Sequence, residues 1–270
     1  MTAENRPSLF DLKDRVVVLT GGLGLLGREF CRALVDHGGR VAVVDNGDPA
    51  TFADGLGNRA ALFPADVRDR ASLERALDEI ASRWAPPLGL INAAAIDAPP
   101  DAPLEENGPF ESYPESSWDH IMEVNVKGAM LCCQVFGGSM AKIGGGSIIN
   151  ISSIYGQVSP DQRIYEYRRQ RGEDFFKPVA YSASKSALAN LTRYLATYWA
   201  PQGVRVNTLT LGGVSNKQDP QFLAGYCARV PLGRMARAQD YIGAVVFLTS
   251  DASAYMTGAN LVIDGGWTAW

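Results

Sequence analysis

Short apolar runs that alternate with amphipathic stretches constrain the fold of this 270-residue chain more than any other feature. The apolar runs are rich in Val, Ile and Leu and lack polar alternation, which is typical of parallel strands buried on both faces. We predict seven strands, at Val16–Thr20, Val41–Asp45, Ala61–Asp66, Leu88–Asn92, Ser147–Ile151, Val204–Leu211 and Leu261–Asp264. Helical patterns lie between them, at Leu25–His37, Ala71–Trp84, Trp118–Ile143, Ala180–Trp199 and Asp240–Ser250. This order predicts an α/β fold, doubly wound, with a seven-stranded parallel sheet and helices on both faces.

Composition and charge argue against several classes of protein. The net charge of -4 and the pI near 5.3 provide no basic surface for nucleic acid. No apolar run approaches the ~18 residues of a membrane span, and the first residues lack an apolar signal core, so we expect a cytoplasmic protein. No Gly/Ser-rich or Pro-rich linker divides residues 1–270, which predicts a single domain. The four cysteines lack C-x-x-C spacing and there are only two histidines, so we predict reduced thiols and no metal site.

A glycine-rich turn joins the first predicted strand to the first predicted helix. Gly22, Gly24 and Gly27 have the spacing that lets a backbone approach a pyrophosphate, while the helix N-terminus supplies unpaired N–H groups. Asp45 ends the second strand 23 positions after Gly22, where a carboxylate can accept hydrogen bonds from both hydroxyls of an adenosine ribose. The pattern predicts a Rossmann-type dinucleotide site. It favours NAD over NADP, because a 2′-phosphate would meet the Asp45 carboxylate with no neighbouring cation.

Tyr181 and Lys185 lie four residues apart in a predicted helix, so their side chains share one face. A free tyrosine, with a pKa near 10, is a poor base at neutral pH. An ammonium ~4.5 Å away would lower that pKa by somewhat under three units at an effective dielectric constant of about 20. We therefore predict that Lys185 lowers the pKa of Tyr181 toward neutrality. The phenol could then exchange a proton with an oxygen whose carbon gains or loses a hydride.

Several ordered motifs together resemble the short branch of the short-chain dehydrogenase/reductase superfamily over nearly the whole chain. The resemblance implies an NAD(P)-dependent oxidoreductase acting on a CH–OH group. It implies that Ser153, rather than its neighbour Ser152, binds the substrate oxygen, and that Asn125 holds a water linking Lys185 to solvent. The implied catalytic residues are Asn125, Ser153, Tyr181 and Lys185.

The same resemblance implies the residues that bind cofactor and substrate. The cofactor residues are Thr20, Gly21, Gly22, Gly24, Leu25, Leu26, Gly27, Asp45, Asn46, Asp66, Val67, Asn92, Ala93, Ala94, Tyr181, Lys185, Leu211, Gly212 and Val214. The substrate residues are Ser153, Tyr155, Tyr181 and Gly213. Family members commonly pair through their long helices, so the resemblance also implies a homodimer or homotetramer.

Three features of the sequence depart from the family pattern. Leu25 replaces a usual glycine, so the loop also resembles that of the branch acting on nucleotide sugars. Leu211-Gly212 replaces Pro-Gly, which predicts a less rigid backbone beside the nicotinamide. Ser153 and Tyr181 are 28 positions apart, more than is common in the family, which predicts an inserted loop over the site at about Gln157–Pro178.

The insert also bears on the substrate. Together with the Asn92–Ile96 turn and the ending Asp264–Trp270, it resembles bacterial sugar-modification oxidoreductases, including those that make nonulosonic acids for flagellin glycans. Its charges nearly balance, which predicts a polar lid, with one arginine gripping a phosphate or carboxylate of a sugar or sugar-derived acid. A solvated helical excursion is the alternative.

Two other functions stay open from the sequence. One is a nucleotide-sugar epimerase or dehydratase, which would need a separate C-terminal domain, although few residues follow Leu211. The other is a non-catalytic NAD-binding regulator, against which the complete catalytic set argues.

Overall fold

The computed structural model describes residues 8–52, 56–97 and 104–270. Seven strands form one parallel sheet in the order β3-β2-β1-β4-β5-β6-β7. They are β1 Val16–Thr20, β2 Arg40–Asp45, β3 Ala60–Pro64, β4 Gly89–Asn92, β5 Gly146–Ser153, β6 Val204–Leu211 and β7 Asn260–Ile263. The predicted fold class and all seven predicted strands are confirmed, with strand ends that differ by at most two residues.

Helices cover both faces of the sheet. They are α1 Leu25–Asp36, α2 Arg70–Arg83, α3 Leu104–Asn107, α4 at 115–143, α5 Glu166–Arg169, α6 Val179–Trp199, α7 Pro220–Cys227 and α8 Ile242–Thr249. The five predicted helices are confirmed, whereas α3, α5 and α7 were not predicted. The long helix α4 alternates between α-helical and π-helical turns and ends at Gly144, whose φ is +83°.

The core lies in two layers, one on each side of the sheet. Alternate β1 residues point to opposite layers, with Val16 and Val18 in one and Val17 and Leu19 in the other. The first layer packs against α2, α4 and α6, and the second against α1 and α8. Burial on both faces explains why the strands read as continuous apolar runs.

The strand order reverses beside β1, which has β2 on one side and β4 on the other. In doubly wound sheets a crevice opens at this point, beyond the carboxyl ends of the strands. The segment predicted as an insert lies there and contains a 3₁₀ turn, Gln162–Tyr165, followed by α5. Its apolar side chains pack with α7 and the C-terminal segment in a third cluster, formed by Ile154, Ile164, Tyr165, Phe175, Tyr226, Val230, Met235 and Trp267.

Two other sequence predictions concern cysteines and membranes. Cys31, Cys132 and Cys133 are buried, Cys227 is partly buried, and all four are free thiols. Among the described residues, no helix is both long enough and apolar enough to cross a bilayer.

Candidate active site

A cavity of about 980 Å³ follows the carboxyl ends of the strands. Asp45 and Asp66 lie toward its β2–β3 end, and Tyr155 and Tyr226 lie toward its insert end. Most of the residues predicted to bind cofactor or substrate line it: Gly21, Gly24, Leu25, Leu26, Gly27, Asp45, Asn46, Asp66, Val67, Ala93, Ala94, Ser153, Tyr155, Tyr181, Lys185, Leu211, Gly212, Gly213 and Val214.

The glycine loop at the start of α1 has no room for side chains at several positions, of which Gly21 and Gly27 line the cavity. Gly21 has φ +68°, and a Cβ there would lie 2.7 Å from the Cα of Ala94. A Cβ on Gly27 would lie 2.2 Å from the carbonyl oxygen of Gly21. The loop is therefore as compact as a pyrophosphate cradle requires, and the first residues of α1, Leu25, Leu26 and Gly27, line the cavity.

Asp45 lines the cavity beside the glycine loop. Its Oδ2 accepts a hydrogen bond from the N–H of Leu23 at 3.0 Å, and its Oδ1 accepts one from the N–H of Gly47 at 2.9 Å. These bonds fix the carboxylate between the glycine loop and β2. The residues present thus fit a dinucleotide whose ribose hydroxyls would donate to Asp45.

Arg68 also lines this end of the cavity, although no sequence signal pointed to it. Its guanidinium lies 2.6 Å from Oδ2 of Asp66 and lowers the pKa of that carboxyl below its usual value. This guanidinium of the cavity wall is therefore already paired with an acid.

Three residues predicted to contact the cofactor do not line the cavity. The Thr20 hydroxyl accepts hydrogen bonds from the N–H groups of Ala93 and Ala94, both at 3.1 Å. The Asn92 amide points into the core and donates to Oδ1 of Asn150 at 2.8 Å. A Cβ on Gly22 would lie 2.6 Å from the side chain of Val43. These three residues shape the crevice by joining β1, β2, β4 and β5. Their positions in the sequence could not show whether they contact the cofactor directly or only support the residues that do.

The two neighbouring serines at the end of β5 point to different partners. Ser152 is buried, and its hydroxyl donates to the carbonyl oxygen of Lys185 at 2.9 Å. The Ser153 hydroxyl accepts the N–H of Tyr155 at 3.2 Å and is hydrogen-bonded to the phenol of Tyr181. The arrangement supports the choice of Ser153 as the group beside the reacting oxygen.

Tyr181 and Lys185 share one face of α6, as their spacing predicts. The Nζ of Lys185 lies 5.7 Å from the ring centroid of Tyr181 and donates to the carbonyl oxygen of Ile151 at 3.0 Å. This bond anchors the ammonium to β5 at the cavity wall.

The predicted lowering of the Tyr181 pKa is wrong for the protein alone. Burial raises the pKa of Tyr181 above its usual value, the charge of Asp97 adds to that rise, and the hydrogen bond from Ser153 opposes it. The same burial lowers the pKa of Lys185 to about 8. Spacing on a helix indicates that two side chains meet, but it does not reveal how much water their niche excludes, and here desolvation outweighs attraction.

Asn125 lies in a π-helical stretch of α4, Glu123–Gly128, and is 1% exposed. Its Nδ2 donates to the carbonyl oxygen of Ile96 at 2.9 Å and to the hydroxyl of Ser184 at 3.0 Å. Its Oδ1 accepts the N–H of Ile96 at 2.8 Å. Both amide hydrogens therefore have protein partners, so the side chain fixes the turn after β4 rather than offering an N–H to the expected water.

The backbone after β6 is more firmly held than the Leu211-Gly212 sequence predicts. The Tyr241 hydroxyl donates to the carbonyl oxygen of Gly212 at 2.9 Å. The N–H of Gly213 donates to the Tyr226 hydroxyl at 2.7 Å. These are the two polar groups of a single peptide bond, so two buried tyrosines take over the constraint that a proline would have provided.

The insert covers the cavity with a mainly aromatic surface. The insert residues that line the cavity are Tyr165, Tyr167, Arg168, Phe175 and Lys177. The arginines pair with acids, as Arg163–Asp161, Arg168–Glu173, Arg169–Glu166 and Arg171–Asp219. The arginines expected to grip an anion are therefore each paired with an acid. The polar lid stays a prediction, since Tyr165, Tyr167, Arg168 and Lys177 all carry polar groups.

An ion pair between Asp97 and Lys177 lines the cavity beside Tyr181. The Nζ of Lys177 lies 5.3 Å from the ring centroid of Tyr181, nearer than that of Lys185. The two partners are 80 positions apart in the chain, so no local motif could have revealed them.

Comparison with known proteins agrees with this geometry. A family profile described as "Enoyl-(Acyl carrier protein) reductase" matches residues 25–268. D-threitol dehydrogenase of Mycolicibacterium smegmatis is 33% identical over 96% of this chain and 95% of its own. Galactitol 2-dehydrogenase (L-tagatose-forming) of Cereibacter sphaeroides is 33% identical over 97% of this chain and 98% of its own.

Solved structures show the same likeness. A short-chain dehydrogenase from Leptospira borgpetersenii with bound NAD+ has a TM-score of 0.87 and 32% identity, and the alignment covers 99% of this chain and 98% of that one. A gluconate 5-dehydrogenase from Burkholderia cenocepacia in complex with NADP and tartrate has a TM-score of 0.83 and 26% identity, over 97% and 98%.

The chain belongs to the short-chain dehydrogenase/reductase superfamily. It is an NAD(P)-dependent oxidoreductase that transfers a hydride to or from a CH–OH carbon of a polar alcohol. The alternatives of an epimerase and of a non-catalytic regulator, which the sequence left open, are thereby set aside.

Proposed function

We propose that this enzyme uses NAD to oxidise a secondary hydroxyl of a neutral polyol to a ketone. The observation that carries the proposal is one cavity that joins the Asp45 end of the dinucleotide crevice to Ser153, Tyr181 and Lys185. At the substrate end, the cations of the insert are paired with acids, which leaves net-neutral, hydrogen-bonding surroundings. The named relatives act on threitol and galactitol, which are neutral polyols.

Ser153, Tyr181 and Lys185 would each have a separate role in the reaction. Ser153 holds the reacting oxygen, and Tyr181, in its deprotonated phenolate form, receives the proton when the alcohol is oxidised. Lys185, anchored on Ile151, keeps a positive charge beneath the phenol and would hold the ribose next to the nicotinamide. When bound, the oxidised cofactor supplies the hydride acceptor and a second positive charge.

We also propose a preference for NAD over NADP. Asp45 is fixed by two backbone N–H groups where a 2′-phosphate would lie, and the adjacent Arg68 is paired with Asp66. A phosphate there would therefore face a carboxylate without a spare guanidinium.

We propose a cytoplasmic homo-oligomer that pairs through α4 and α6. We do not extend the proposal to sugar-modification pathways, including that of nonulosonic acids, because the named relatives act on polyols and the insert's arginines are paired.

An initial-rate assay tests the proposed function. NADH or NADPH formation is followed with D-threitol, galactitol and glycerol, and with gluconate and cyclohexanol for comparison. We expect the highest kcat/KM with NAD and a neutral polyol. A higher kcat/KM for gluconate or cyclohexanol than for every polyol would contradict the assignment.

A further inference from the structure

The Asp97–Lys177 ion pair is a built feature of the substrate end of the cavity. Lys177 belongs to the insert and Asp97 to the segment that follows β4, so the pair spans the cavity from roof to wall. The Lys177 side chain is only 11% exposed. Its ammonium lies over the ring of Tyr181. Tyr181 is also the side chain that would accept the proton of the reacting hydroxyl.

Two side-chain amides fix the pair, one on each side. The amide of Gln162 accepts the N–H of Lys177 at 2.9 Å and donates to its carbonyl oxygen at 3.0 Å. The amide of Asn125 bonds the N–H and carbonyl oxygen of Ile96, the residue before Asp97, in the same two-point manner. The backbone that carries each charge is thus held before any substrate enters.

The anchoring continues through the insert. Arg169 donates to the carbonyl oxygens of Gln162 at 2.7 Å and of Phe175 at 2.9 Å. The N–H of Phe176 donates to the carbonyl oxygen of Asn107 at 2.6 Å. Lys177 therefore sits on a segment tied down from several directions, which is the kind of support that preorganised binding groups need.

We propose that Asp97 and Lys177 form the subsite that binds the hydroxyl vicinal to the reacting carbon. The carboxylate accepts the hydrogen of that hydroxyl and the ammonium donates to its oxygen, so a neutral diol satisfies both charges without separating them. A substrate carboxylate or phosphate would have to displace Asp97 from Lys177. The subsite therefore selects uncharged vicinal diols, and this inference rests on the proposed polyol oxidation.

The rival role for this ion pair is a strut that only holds the insert in place. A strut would affect all substrates alike, since loss of the insert's position would disturb Tyr181 for every alcohol. A diol subsite would affect only substrates that carry the second hydroxyl, because a site built to bind a hydroxyl discriminates against the analogue that lacks it.

The test compares butane-2,3-diol with butan-2-ol, which differ only in the vicinal hydroxyl. We expect the wild-type enzyme to have a kcat/KM at least about tenfold higher for the diol, as a hydrogen bond to a charged group would give. In Lys177→Met and Asp97→Asn this ratio should fall to about three or less; any effect of the lost charge on Tyr181 acts on both alcohols alike and cancels in the ratio. Lys127→Met, which removes an exposed ion pair with Glu123 away from the cavity, is the matched control and should keep the wild-type ratio.

The possible outcomes separate the inference from the function on which it rests. If the wild-type enzyme oxidises neither these alcohols nor any polyol with NAD or NADP, the proposed function fails and the subsite with it. If the wild type oxidises both alcohols with equal efficiency, or if the variants lose both activities in parallel, the subsite alone is refuted. Asp97→Asn keeps the shape of the side chain and reports on the subsite if Lys177→Met does not fold.

Discussion

Tyr226 and Tyr241 bond the two polar groups of one peptide, the bond between Gly212 and Gly213. Tyr226 approaches from the cavity side on α7, and Tyr241, which is fully buried, approaches from the far side just before α8. This peptide leaves β6 at the edge of the crevice, where the resemblance places the nicotinamide. Its orientation is therefore set by side chains from two elements that are distant in sequence.

Removing either hydroxyl should weaken cofactor binding more than it slows the chemical step. Tyr241→Phe leaves a buried carbonyl oxygen without its partner, which costs about 1–3 kcal/mol shared between stability and loop order. We expect the Kd for NADH to rise by about five- to tenfold, with kcat within about threefold of wild type. Fluorescence titration measures the Kd, and Tyr255→Phe on the exposed surface is the matched control. An unchanged Kd in both Tyr226→Phe and Tyr241→Phe would contradict the constraint.

Asp45 should set the choice between NAD and NADP. Replacing the carboxylate by an amide removes its repulsion of a 2′-phosphate and keeps an acceptor oxygen for one of the two N–H groups, those of Leu23 and Gly47, that bond it. We expect Asp45→Asn to lower the ratio of the Kd for NADPH to the Kd for NADH by about tenfold. Asp48→Asn, on the adjacent exposed turn, should leave the ratio unchanged. A wild-type enzyme that binds NADPH as tightly as NADH would refute the proposal.

Burial of Lys185 should make stability depend on pH in the alkaline range. Its pKa is about 8 in the folded protein and ordinarily 10.5, so between these values the unfolded chain binds more protons. The Lys185 contribution to the free energy of unfolding therefore rises with pH from about 8 to 10.5. The Lys185→Met variant should lack this rise.

Urea unfolding at pH 7.5 and 9.5 measures the effect as a difference between wild type and variant. Taking the difference cancels the contributions of the buried thiols and phenols, which are the same in both proteins. Tyr226 is one example: its pKa is raised to about 12, so its contribution to the free energy of unfolding falls as the pH rises above the usual tyrosine pKa. Lys142→Met, at an exposed position, should behave as wild type. Equal pH dependence in Lys185→Met and wild type would show that the ammonium is not desolvated.

Self-association through α6 should be visible in solution. Tyr194 and Tyr198 are 63% and 61% exposed, and their rings stack on the helix surface with centroids 5.9 Å apart. We expect light scattering to give a mass of two or four times 29.1 kDa, and Tyr194→Glu with Tyr198→Glu to lower it. A wild-type mass near 29.1 kDa at micromolar concentration would refute the prediction.

Local patterns were sufficient to predict the sheet and the tyrosine–lysine pair. Buried parallel strands leave continuous apolar runs, and residues four apart on a helix must share a face, so both could be read without tertiary information. Asp45 was equally predictable because it is the last residue of β2, the strand that follows the glycine loop and α1 in the chain.

Features that depend on distant segments could not be predicted. Asp97 and Lys177 meet only because the insert folds back to the segment that follows β4, and Tyr226 and Tyr241 reach the Gly212–Gly213 peptide from elements beyond β6. The direction of the Tyr181 pKa was missed for a related reason, since desolvation depends on every element that covers the cavity. Asn92 is the opposite case. The resemblance places this residue at the cofactor, but its side chain points into the core and bonds Asn150.

The most direct test of the account compares wild type with Tyr181→Phe in two measurements made on the same samples. We predict that the variant loses at least about 100-fold in kcat for oxidation of the best neutral polyol by NAD, because it lacks the proton acceptor. Its Kd for NADH should stay within about twofold of wild type, because the glycine loop and Asp45 are untouched. Polyol oxidation by Tyr181→Phe above about a hundredth of the wild-type rate, with NADH still bound, would show that another group accepts the proton.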